Sequence, residues 1–297
     1  MKKFNSHIRP SITRMFGLVG LGIALQGCAV LFPPTVHSAR VTTLPEIDGD
    51  IDNLWEVASA VRVEAIGNRD EGRRTPIEIR SVHDGNQIAF LFRWEDDTKS
   101  DSYRRYIGNG EGNDPTLVGG PDDQLAIKFN LSGSALSCML AGRDYVDDVW
   151  HWKAARTDPA GYAQDRLFIV RRIEPQEEED DVKGTRYVAR NESLVEIIWQ
   201  DDKGDALVTE LNPSDADGMD GPAFEINEPT ESQADIRAKG QWNEGIWVLE
   251  IRRALETGHD DDVLIGAAKK SKFAIAVFDE SEGRVHDNTR WIKLKLE

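Results

Sequence analysis

The sequence predicts an all-β protein: a single β-sandwich with long loops and short helical turns. Three observations carry this. Stretches that alternate polar and apolar residues recur at short intervals between Gly, Pro, Asn and Asp turn signals. Two pairs of them are clear hairpins, closed by Asp84-Gly85-Asn86 and by Asn243-Glu244-Gly245. No segment sustains the 3.6-residue apolar period of a packed helix. With 297 residues and no internal repeat, the chain suffices for one large β domain with a substantial core.

Taken in order, residues 1–27 read as an export signal. Lys2, Lys3, Arg9 and Arg14 make a basic start, and residues 16–27 make an apolar stretch too short to span a bilayer comfortably. The stretch ends Leu25-Gln26-Gly27-Cys28, which resembles the bacterial lipobox. The resemblance implies cleavage before Cys28 and a diacylated Cys28 as the only membrane anchor. Ala29 follows, with no Asp, which fits the periplasmic face of the outer membrane. Residues 28–43, with Pro33 and Pro34, read as the lipidated Cys and a tether.

The domain proper is expected over 44–297. Ile47-Asp48-Gly49-Asp50-Ile51-Asp52 reads as a turn with Asx hydrogen bonds, or less simply as a Ca²⁺ loop. Leu54-Trp55 then begins a short helical turn whose Trp caps the core. Residues 76–83 and 87–94 form the first hairpin, and 95–123 a long loop rich in Asp, Gly and Asn. A strand over 124–130 precedes the central stretch 136–156. Residues 157–166 are turn-rich, 174–181 are an acidic loop, and 186–190 and 193–200 suit strands. Irregular chain over 201–230 leads to the second hairpin, 235–242 with 246–252. Strands over 272–278 and 290–296 complete the set.

Composition excludes several classes. The chain carries 30% charged residues and a net charge of −17, and loss of residues 1–27 deletes four cations and no acid, leaving −21. Such a surface repels nucleic acid and anionic lipid headgroups. Cys28 and Cys138 are the whole cysteine count, so a lipidated Cys28 leaves Cys138 without a disulfide partner. No C-x-x-C-H occurs, which excludes covalent haem attachment. H-E-x-x-H is absent too, no Ser-His-Asp spacing stands out, and no carboxylate pair stands out from 53 acids, so hydrolase chemistry ranks last.

The central stretch concentrates unusual side chains. Cys138 and Met139 precede Trp150-His151-Trp152-Lys153, with Arg156 close behind. Thioether and imidazole are ligands that suit haem iron, and flat aromatics suit the walls of a flat cofactor. The same residues also suit a strand with core aromatics and a gap-filling Met. On a strand His151 points opposite to both Trp neighbours. His83 and His259 read as exposed.

The order of several motifs resembles one family. I-D-G-x-I-D-x-x-W-x-x-A opens the domain at Ile47, and D-x-W-H-W-K-A-A-R then D-P-x-G-Y lie at its centre. K-G-x-W-x-x-G-x-W follows at Lys239, and F-A-I-A-V-F-D precedes a terminal W-x-x-L. This arrangement, over roughly 44–297, resembles the ethylbenzene dehydrogenase-type haem b-binding domain. That domain is the γ subunit of periplasmic molybdenum enzymes of the dimethyl sulfoxide reductase family. The resemblance implies a sandwich like family-9 carbohydrate-binding modules and DOMON domains. It implies one non-covalent haem b and transfer of electrons to a redox partner, such as a molybdoenzyme or iron–sulfur subunit, with no catalysis of its own. In the family a Met about ten residues before the Trp cluster and a Lys just before the terminal Trp hold the iron. Met139 lies 11 residues before Trp150, and the Lys position, five before Trp291, is His286. Met139 and His286 are therefore the axial pair the resemblance implies, with His151 as the competing imidazole. Trp150, His151, Trp152, Lys153 and Arg156 line the cofactor in this reading, the two cations on its propionates. The alternative is a carbohydrate-binding sandwich without haem, stacking sugars on Trp55, Trp94, Trp150 or Trp152.

Overall fold

In a computed structural model the regular structure is strands joined by loops and short 3₁₀ turns. The structure describes residues 33–67, 72–110, 113–137, 142–174, 185–188, 193–216, 220–266, 271–283 and 285–297. The strands begin with β1 (Thr35–Arg40), β2 (Val61–Gly67), β3 (Arg74–His83), β4 (Gln87–Glu95), β5 (Arg105–Ile107) and β6 (Thr116–Val118). Next come β7 (Gln124–Gly133), β8 (Tyr145–Lys153), β9 (Gln164–Arg172), β10 (Thr185–Val188), β11 (Leu194–Asp201), β12 (Val208–Glu210), β13 (Gly221–Pro222) and β14 (Phe224–Ile226). The last are β15 (Arg237–Asn243), β16 (Ile246–Ala254), β17 (Ser271–Phe278), β18 (Asp287–Asn288) and β19 (Ile292–Leu296).

The hydrogen-bonded order β10-β11-β9-β8-β7-β17-β18-β2-β3-β4-β16-β15 runs unbroken, because the two-residue β18 bridges β17 to β2. β1 and β19 pair alongside. The path folds back on itself into two facing layers, β10-β11-β9-β8-β7-β17 against β2-β3-β4-β16-β15. Leu125, Ile127 and Phe129 of β7, Trp150 and Trp152 of β8, and Phe273 and Ile275 of β17 form one side of the core. Ile77, Ile79, Phe90, Phe92, Trp94 and Leu249 form the other. Phe90 meets Trp150 at 6.2 Å and Trp94 meets Trp152 at 6.3 Å between ring centres, so the aromatic rows interdigitate across the layers. Each such fully buried side chain contributes about 1.5–3 kcal/mol.

The two hairpins form as predicted, as β3–β4 and β15–β16. Asx turns shape the entry loop: Asp48 Oδ1 accepts from the Asp50 N–H at 2.9 Å, and Asp52 Oδ1 from the Leu54 N–H at 2.7 Å. Three expectations are corrected. Residues 35–40, expected within the tether, form β1, parallel to β19 and to β3. Their inward side chains Val36 and Ser38 are fully buried, which an exposed linker does not permit. β9 is a strand the sequence reading left out. His83 is buried, not exposed, with Nε2 donating to the Glu297 carbonyl at 3.0 Å.

Candidate functional site

β8 sorts the central residues by strict alternation. Trp150 and Trp152 point into the core between the layers. Tyr145, Asp147, Val149, His151 and Lys153 point to the opposite, outer face, and there a second apolar cluster covers the sheet with Tyr145, Val149, Phe168, Val170 and Phe278. Trp152 Nε1 donates to Asp158 Oδ1 at 2.9 Å, and the Arg253 guanidinium lies 4.5 Å over the Trp150 ring. The two indoles therefore lie in the core and do not share a face with His151, as the alternation of the strand predicts.

The outer face gathers both candidate imidazoles. His151 lies 5.5 Å from the Phe278 ring, and Phe278 lies 5.0 Å from His286. β7 brings Ala126, β8 brings His151, β17 brings Ala274, Ala276 and Phe278, and the turn after β17 brings His286. A small cavity lies here, lined by Ala126, Lys128, Ser137, Val149, Ala276 and His286. Its space, about 10 Å³, is far below the about 300–1,000 Å³ of small-molecule sites. A porphyrin would have to part the 134–137 segment from the sheet. Met139, Cys138 and Cys28 lie outside the described residues.

The two imidazoles are donors of the kind that haem iron takes. His286 Nδ1 donates to the Gly283 carbonyl at 2.9 Å, which fixes the ring and its tautomer and directs the lone pair to Nε2. Both ring nitrogens of the buried His151 lack a hydrogen-bond partner among the described residues. Burial, then Lys153 and Arg166, hold the His151 pKa well below its ordinary value. Burial also lowers that of His286, partly opposed by the Gly283 bond and Asp287. Both rings are therefore neutral near pH 7, the state that binds iron. The alanines at 126, 274 and 276 make a floor low enough for a flat group.

The cations are less free than the sequence suggested. Burial, then Arg156 and Arg166, push the Lys153 pKa down to about 7, and its Nζ bonds Gln164. Arg156 is buried and committed to Asp122, with Nη2 donating at 2.9 Å and Nε at 3.3 Å. It also pairs with Glu282 at 3.3 Å and stacks on Tyr103 at 3.8 Å. Arg156 is thus held in a buried ion pair with carboxylates, as a buried guanidinium requires.

A family model described as ethylbenzene dehydrogenase matches residues 52–290. The chain belongs to the ethylbenzene dehydrogenase family. No curated protein matches its sequence. Among solved structures, this family member is similar to a Bacteroides uniformis protein proposed to bind carbohydrate, at 10% identity and a TM-score of 0.42. The match covers 90% of this chain and 100% of that one. It is also similar to a family-9 carbohydrate-binding module from Caldicellulosiruptor kristjanssonii in complex with cellotriose. There the identity is 12% and the TM-score 0.37, over 89% of this chain and 94% of that one. Sequence reasoning missed Phe278, Lys128 and the alanine floor of this family member's outer face. The signal was present in F-A-I-A-V-F, where small residues fill every second position.

Proposed function

We propose that the chain binds one haem b non-covalently and passes electrons, as a cytochrome b-type subunit or partner of a periplasmic oxidoreductase. The observation that carries this is the outer face of β7, β8 and β17. There a tautomer-fixed His286 and an unpartnered His151 flank Phe278 above an alanine floor. His286 and Met139 would hold the iron, with His151 as the competing imidazole, and haem held by a thioether and an imidazole would supply one-electron transfer.

The chain's own residues hold, orient and shield. Gly283 fixes the His286 ring, Phe278 separates the two imidazoles, and Tyr145, Val149 and Phe168 exclude water. Lys128, bonded to Asp147 at 2.8 Å and to the Leu136 carbonyl at 2.8 Å, ties the 134–137 segment to the sheet. Lys153 is the cation nearest His151 along the strand and the candidate for a propionate. The reaction partner is a redox protein, a molybdoenzyme or iron–sulfur subunit, met on the periplasmic side of the outer membrane. Cys28, diacylated after removal of residues 1–27, is the anchor. The carbohydrate-binding alternative is not favoured: Trp55, Trp94, Trp150 and Trp152 are each at most 2% exposed and offer no face to a sugar.

The test is a reduced-minus-oxidised absorption spectrum of the full chain supplied with haemin. A Soret band with sharp low-spin features at one haem per chain is expected. A colourless protein after haemin addition refutes the proposal.

A further inference from the structure

A second group of side chains lies on the other face of β8, between the layers and away from the imidazoles. Asp148 follows the same alternation as Trp150 and points inward. Asp165 of β9 pairs directly with Trp150 and shares that face. Asp262 arrives from the loop after β16, and Arg253 from β16 itself. Asp148, Asp165 and Arg253 are completely buried, and Asp202 and Asp262 are nearly so.

The oxygens divide into two sets. Asp148 Oδ2 accepts from Arg253 Nη1 at 2.9 Å and from the Val263 N–H at 2.9 Å. Asp262 Oδ1 accepts from the same Arg253 nitrogen at 2.9 Å. These bonds fix the two carboxylates and leave Asp148 Oδ1 and Asp262 Oδ2 without hydrogen bonds among the described residues, the latter 3.6 Å from His259 Nδ1. Both oxygens of Asp165 and both of Asp202 meet no N–H or hydroxyl donor among the described residues, and the two carboxyls lie within hydrogen-bond reach of each other. Gln233, fully buried, donates Nε2 to the carbonyls of Asp165 at 2.5 Å and Asp202 at 3.3 Å, while its own Oε1 is unpartnered. One ligand oxygen each from Asp148, Asp165 and Asp262 lie within 4.8 Å of one another.

Three buried carboxylates thus face one guanidinium. An uncompensated buried carboxylate is among the costliest groups a fold can hold. The unpartnered atoms are all oxygens, which selects a hard cation. A cage built wholly of protein carboxylate oxygens suits Ca²⁺ better than Mg²⁺, which keeps several of its waters.

We propose that Asp148, Asp165 and Asp262 hold a Ca²⁺ ion, oriented by Arg253 and Val263 and locking β8 and β9 to the loop after β16. The ion is structural, since its ligands lie on the opposite face of β8 from His151.

The full chain, stripped with chelator, is titrated calorimetrically with CaCl₂, MgCl₂ and ZnCl₂, and its thermal unfolding is followed with each. One Ca²⁺ per chain is expected, with a midpoint that rises with Ca²⁺ and falls with chelator, and weaker binding of Mg²⁺. Asp165→Asn keeps the shape and removes the charge, and is expected to weaken Ca²⁺ binding at least about tenfold. Asp260→Asn, a fully exposed neighbour paired with Lys203, should leave it unchanged. No uptake by the wild-type chain, with unfolding indifferent to Ca²⁺ and chelator, overturns the proposal and assigns the carboxyls to shared protons. Preference for Zn²⁺, through His259 and Asp235 beside Asp262, overturns it equally. Should the Asp165 variant not fold, the wild-type titration decides alone.

Discussion

His286 keeps its Nδ1 proton on a backbone carbonyl, and that one bond makes the ring a ready donor at Nε2. His286→Ala is expected to weaken haem binding at least about tenfold, whereas Met139→Ala should keep haem and move its spectrum toward high spin. Wild-type spectra from both would sink the axial assignment. A second single-residue prediction concerns Glu250. It accepts from Trp55 Nε1 at 2.6 Å and from the Gly49 and Asp48 N–H groups, yet burial outweighs these bonds. Its pKa rises from 4.5 to about 7. Between those values the native state keeps a proton that the unfolded chain has lost, so this contribution is present below about pH 4.5 and is lost as pH rises through about 7. Denaturant unfolding across that window should show a fall of up to about 3 kcal/mol that Glu250→Gln flattens. At this scale the sequence was legible where period 2 alone decided, as for the opposed directions of His151 and its Trp neighbours. Asp165 and Asp202 were not legible, because only the fold distinguishes them among 53 acids.

β8 and the β15–β16 hairpin show what a sequence pattern holds and what it hides. The K-G-Q-W motif predicts a strand, and its glycine has a tertiary cause. A Cβ on Gly240 would stand 2.3 Å from Cζ2 of Trp152. Trp152 cannot yield, since Asp158 holds its Nε1 and Trp247 packs its ring at 5.1 Å. Gly240→Ala should therefore cost about 1–3 kcal/mol in denaturant unfolding, by overpacking; an unchanged midpoint would contradict this packing. Both hairpins were legible, because alternation and turn chemistry are local. β9 was not, because it opens with Gln164, Asp165 and Arg166. These are buried or half-buried polar residues whose partners come from other strands, and they mask the apolar rhythm of Phe168 and Val170.

Across the whole molecule, the layered β architecture was legible and its first strand was not. Thr35–Arg40 has too little apolar character to announce itself, and Pro33-Pro34 before it suggests a linker. Its place is set by partners outside its own neighbourhood in the sequence, β3 and the far β19. A chain begun at residue 33 should unfold at the same temperature as the full chain. One begun at residue 44 loses β1, uncovers the edges of β3 and β19, and should melt lower and aggregate. Equal melting of the two would return residues 35–40 to the tether.

The pairing of β1 with β19 brings the opening and closing strands side by side and parallel, Thr35 opposite Lys293 and Ser38 opposite Leu296. Beyond it, the Glu297 N–H donates to the Ser38 carbonyl at 3.0 Å. Tension applied at the two termini would load this ladder in shear, so that its bonds must rupture together and not peel in turn. Held between an anchor at one end and a pull at the other, the protein is built to resist mechanical extension at its own ends.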